Sequence, residues 1–84
     1  MSFEIFWEPK AVSQLRKLPG GISSRIVKKV KFVGETGIGL EILKEHDYGF
    51  KIRAGDYRVL CDVYYNPEKV IIRVVEHRKK VYKN

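Results

Sequence analysis

The stretch FKIRAGDYRVLCDVYYNPEKVIIRVVE, residues 50–76, decides the fold of this 84-residue chain. Its apolar side chains recur with a period of two, the spacing of a strand that buries one face. Gly55-Asp56 is a two-residue turn of the kind that closes a tight hairpin, and Asn66-Pro67-Glu68 turns the chain a second time. Strands are therefore predicted over 50–54, 57–65 and 69–76, joined as a three-stranded antiparallel meander.

Upstream the period changes. Residues 2–7 (Ser-Phe-Glu-Ile-Phe-Trp) are aromatic and β-branched and suit a first strand. Pro9 then stands where a helix can begin, because its missing N–H would have no partner there. Ala11, Val12, Leu15 and Leu18 fall at helical spacing, and Pro19-Gly20-Gly21 stops that helix. Ile22, Ile26, Val30 and Val33 form the stripe of a second helix, ended by Gly34 and Gly37. Residues 36–48 read least clearly: Leu40-Glu41-Ile42-Leu43 suits either a short strand or a turn of helix. The expectation is a single α+β domain over 1–84: an N-terminal strand, a two-helix hairpin, then the meander, with the helices on one sheet face.

Composition narrows the function. Seventeen Lys and Arg against ten Asp and Glu give +7. Residues 1–48 carry eight cations and six acids, residues 49–84 nine and four, so the excess is +2 and then +5. A basic half favours an anionic partner. The lone Cys61 allows no internal disulfide and no cysteine-ligated zinc. No apolar run approaches the ~20 residues that cross a bilayer, and the start of the chain does not read as a signal peptide. A cytoplasmic protein with no membrane partner and no cofactor is expected.

Parity along the strands adds geometry. Phe50, Ile52 and Ala54, then Tyr57, Val59, Cys61, Val63 and Tyr65, then Val70, Ile72 and Val74 form the sets expected to face the helices. Lys51, Arg53, Arg58 and Arg73 then project from the opposite, open face together with Asp62 and Tyr64. Four cations and an aromatic on one face suit a nucleic acid. The ordinary alternative for Arg58 is an ion pair with Asp62.

KIRAGDYRVL (residues 51–60) and VEHRKKVY (residues 75–82) resemble the RelE branch of the RelE/ParE toxin superfamily. The helix ending Leu15-Arg16-Lys17-Leu18-Pro19 and the pair Arg25-Ile26 fit as well, so the resemblance spans nearly the whole chain. It implies the toxin of a type II toxin–antitoxin pair, one that cuts messenger RNA in the ribosomal A site without a metal. The ribose 2′-hydroxyl would attack the adjacent phosphorus, leaving a 2′,3′-cyclic phosphate and a 5′-hydroxyl. Positive charge must stabilise the phosphorane, and two groups must move protons.

By the same resemblance, Lys51 and Arg53 occupy the family's two basic positions on the first meander strand. Arg58 is the arginine of the GDYR turn, Arg78 that of the C-terminal segment, and Tyr82 the terminal tyrosine. Arginine stands at 53 where a well-known bacterial member has lysine; it clamps phosphate but is a poor proton carrier. The spacing from Arg78 to Tyr82 is also shorter, which brings His77 forward for proton transfer. Arg73, Lys79 and Lys80 would hold RNA. The implied partners are the ribosome with its messenger and a RelB-like antitoxin that covers Lys51, Arg53 and Arg58 or displaces the tail. Two other functions suit the same residues: a ParE-like poison of DNA gyrase, and an RNA- or ribosome-binding module without catalysis.

Overall fold

The chain enters its first helix at Pro9, as its fixed φ favours, one residue after a four-residue strand. In the computed structural model, which describes residues 2–44 and 47–81 without the side chains of Lys80 and Val81, the elements are β1 (Glu4–Trp7), α1 (Pro9–Arg16), α2 (Gly20–Thr36), β2 (Glu41–Ile42), β3 (Phe50–Ala54), β4 (Tyr57–Tyr65), β5 (Glu68–His77) and α3 (Arg78–Val81). The strands form one sheet in the order β1-β5-β4-β3-β2. The meander β3-β4-β5 is antiparallel, and β1 lies parallel to β5 at one edge. The expected α+β architecture is the one observed. The unclear Leu40-Glu41-Ile42-Leu43 segment resolves as β2, two residues paired antiparallel with β3 at the other edge.

Helices and sheet meet through Ala11 of α1, Ile26, Val30 and Val33 of α2, and Ile52, Val59, Cys61, Val70, Ile72 and Val75 of the sheet, all buried in one cluster. Each of these valines and isoleucines contributes about 1.5–3 kcal/mol when removed from water. Burial pushes the Cys61 thiol up to about 12, with the neighbouring Asp62 carboxylate adding to the shift.

Two sequence expectations need correction. Gly34 does not end α2. The helix runs on to Thr36, and Gly37 terminates it with φ 75°. Gly34 instead lets α2 press on β1: a Cβ there would stand 2.8 Å from Ile5 Cγ1 and 3.2 Å from the Phe3 carbonyl oxygen.

The second correction concerns β5. Leu60 pairs with Val74 but Cys61 pairs with Ile72, so Arg73 is an extra residue, a β-bulge. The bulge reverses parity beyond it. Val75, expected on the open face, joins the core, and Val74, expected in the core, crosses to the face of Lys51 and Arg58.

Candidate active site

The register places a row of charges across the open face. Arg58 of β4 stands opposite Arg53 of β3 on one side and Glu76 of β5 on the other. Arg53 Nε lies 3.2 Å from Glu41 Oε1 of β2, and Arg58 Nε lies 3.0 Å from Glu76 Oε2. The sequence acid–arginine–arginine–acid thus spans four strands. Lys51 sits two residues from Arg53 on the same face, opposite Glu41 and Leu60. Leu60 and Val74 are buried on this face although outside the main core cluster, and they give the row apolar surroundings.

The two arginines differ in environment. The Arg53 side chain is 61% exposed and its ion pair is a surface one, of a kind that contributes about 0–1 kcal/mol. The Arg58 side chain is only 13% exposed, with Glu76 at 21%. Nε is the single donor of Arg58 that bonds within the described residues. No buried side-chain nitrogen lacks a partner among the described residues, so both Nη groups reach solvent. A guanidinium presents five N–H groups in a fixed fork. Here one is anchored and four remain for a ligand.

Arg73 is on the open face as expected, but it is held by two carboxylates. Its Nε donates to Asp62 Oδ2 at 2.8 Å and its Nη1 to Glu8 Oε2 at 2.7 Å. The hydrogen bond to Asp62 above all raises its pKa further, so it is a permanent cation neutralised in place. Asp62 therefore pairs with Arg73 rather than with Arg58. Among the described residues, Lys51 is the one cation of the four without an ion pair.

The tail divides. The Arg78 N–H donates to the Asp56 carbonyl at 2.8 Å, which brings Arg78 to the hairpin end of the sheet beside Arg53 and Arg58. The Arg78 and Lys79 side chains are exposed. His77 is not brought to the row. It pairs with Tyr57, ring centroids 5.0 Å apart, on the side of the sheet that faces the helices. Its Nδ1 accepts the Lys79 N–H. The bulge at Arg73 is the reason: without it, position 77 would share the face of Arg58. Tyr82 and His46 lie outside the described residues, as does the side chain of Lys80.

Glu41 and Glu76 are the members of the row that sequence reasoning missed. Glu41 carries a legible signal once residues 40–43 are read as a strand. Glu76 carries none, because the bulge sets its side. Residues 9–36, the helical layer, hold seven Lys and Arg against one Glu, whereas three of the four sheet-face cations are ion-paired.

A family model described as the ParE toxin of type II toxin–antitoxin systems, parDE, matches residues 5–82. The chain belongs to this toxin family. Within the wider RelE/ParE superfamily its fold is of the RelE type. The toxin resembles the RelBE2 toxin–antitoxin complex of Mycobacterium tuberculosis at TM-score 0.80 and 24% identity, covering 93% of each chain. It is similar to the archaeal RelE–RelB complex of Pyrococcus horikoshii at TM-score 0.77 and 19% identity, over 93% of this chain and 97% of that one. The RelB–RelE complex of Methanococcus jannaschii gives TM-score 0.70 and 25% identity, over 93% and 95%. No curated protein matches the toxin.

Proposed function

We propose that this toxin is a metal-independent endoribonuclease that cuts messenger RNA, on the ribosome, by attack of the 2′-hydroxyl. The observation that carries the reading is the adjacency of Arg53 and Arg58. Like charges directly opposite each other on neighbouring strands are destabilising, and an arrangement serving structure alone would alternate sign. Two guanidiniums side by side, each bonded through Nε alone among the described residues, suit a phosphodiester whose charge grows in the transition state. Lys51, two residues from Arg53 on the same face, and Arg78 at the hairpin end add charge on either side, and Arg53 can exchange its weak pair with Glu41 for phosphate.

A RelB-like antitoxin is the proposed partner, supported by the complexes in which similar folds occur. It would cover the Arg53–Arg58 row or move the segment carrying Arg78. A second reading, poisoning of DNA gyrase, is favoured by the parDE description of the matching family model. One experiment separates them. The toxin added to a reconstituted translation reaction is expected to yield messenger fragments with cyclic-phosphate ends, and Arg58→Ala to yield them about a hundredfold more slowly. Intact messenger together with gyrase-dependent plasmid cleavage would establish the second reading instead.

A further inference from the structure

We propose that Glu76 is a positioning residue for this reaction, acting through Arg58; the inference rests on the nuclease reading above. Arg58 faces a second guanidinium, Arg53, directly across β3–β4. Left alone, two such cations repel, and a side chain with four rotatable bonds swings its head group away into water. The Glu76 carboxylate, 3.0 Å from Nε and 21% exposed, opposes that from the β5 side.

The contact is made at Nε and not at the fork. It therefore fixes the plane of the guanidinium while leaving both Nη groups for a bidentate grip on phosphate. Leu60 and Val74, 2% and 8% exposed, lie on the same face and keep the pair largely dry, where a charge-assisted bond holds its geometry best. A hydrogen-bond acceptor at this position, rather than a proton acceptor, is what the role requires.

That distinction gives the test: single-turnover cutting of ribosome-bound messenger, with wild type, E76A, E76Q, R58A and R58A/E76A. Each variant is assayed below its own unfolding midpoint. E76A is expected to lower the maximal rate about tenfold or more with a smaller change in half-saturating concentration, because the grip tightens in the transition state. E76Q, whose amide oxygen still accepts from Nε, is expected to recover most of that loss with an unchanged pH profile. R58A/E76A is expected to be no slower than R58A.

An E76A rate equal to wild type overturns the proposal. So does E76Q falling with E76A and losing the acidic limb of the pH profile, which would make Glu76 the proton acceptor. So does a double variant slower than R58A, which would give Glu76 a role independent of Arg58. A wild type that cuts nothing overturns the nuclease reading itself and the inference with it, and so is distinguishable from a failure confined to Glu76.

Discussion

Arg58 and Glu76, eighteen positions apart in sequence, form an ion pair whose side chains are 13% and 21% exposed. It is the least exposed of the ion pairs among the described residues, and it anchors the inner end of a row that finishes at Glu41 on the far edge strand. Breaking such a pair strands the surviving charge, which costs more than the pair itself contributes. Arg58→Ala is therefore expected to lower unfolding free energy by about 1–3 kcal/mol as well as to slow cutting about a hundredfold. Arg58→Lys separates the effects. It keeps a cation beside Glu76 but lacks the planar fork, so its urea midpoint should stay near that of wild type while messenger cutting drops about tenfold or more.

Arg73 is expected to matter for stability and not for activity. It ties Asp62 on β4 to Glu8 at the entry to α1. Its partners are 25% and 40% exposed, so the loss on Arg73→Met should be about 1–2 kcal/mol, between surface and buried pairs. Cleavage measured well below the melting temperature should be unchanged. A specific loss of cutting in a fully folded Arg73→Met would give this residue an RNA contact.

His77→Ala is expected to leave the cutting rate within about threefold, less than one unit of general acid–base catalysis. The imidazole packs on Tyr57 at the helix-facing side, away from the arginine row. A hundredfold loss with an altered pH profile would bring the imidazole into the reaction.

Gly34→Ala should destabilise the fold by about 1–3 kcal/mol, the usual cost of forcing extra atoms into a packed contact. The new methyl would meet Ile5 at 2.8 Å and the Phe3 carbonyl at 3.2 Å. Thermal melting measures this directly, and Ile5→Val should recover part of the loss by giving the methyl room.

Cys61 gives the chain an alkaline weakness. Its thiol ionises near 9.0 ordinarily and near 12 when folded. Above pH 9 the unfolded chain thus sheds a proton that the folded chain keeps. The contribution to stability is complete below that pH and declines as pH rises toward 12. Between pH 8 and 10.5 the unfolding midpoint of wild type should fall relative to Cys61→Val. Iodoacetamide should label Cys61 only after unfolding.

What the sequence determined by itself was set by local chemistry. The period-two runs, the Gly55-Asp56 turn and the helical stripes specify strands, hairpin and helices, because burying one face demands that spacing whatever the rest of the chain does. Lys51, Arg53 and Arg58 were legible as a cluster for the same reason: they share parity on strands joined by a tight turn. Tertiary structure alone decided the rest. One extra residue at Arg73 reverses every side chain after it, sending His77 and Val75 toward the helices and bringing Glu76 to Arg58. No local preference marks that position, since a bulge is fixed by how two strands must bend to cover the same core. The pairing of Asp62 with Arg73, and of Glu41 with Arg53, likewise depends on which strands become neighbours, and hence on the packing of the whole sheet.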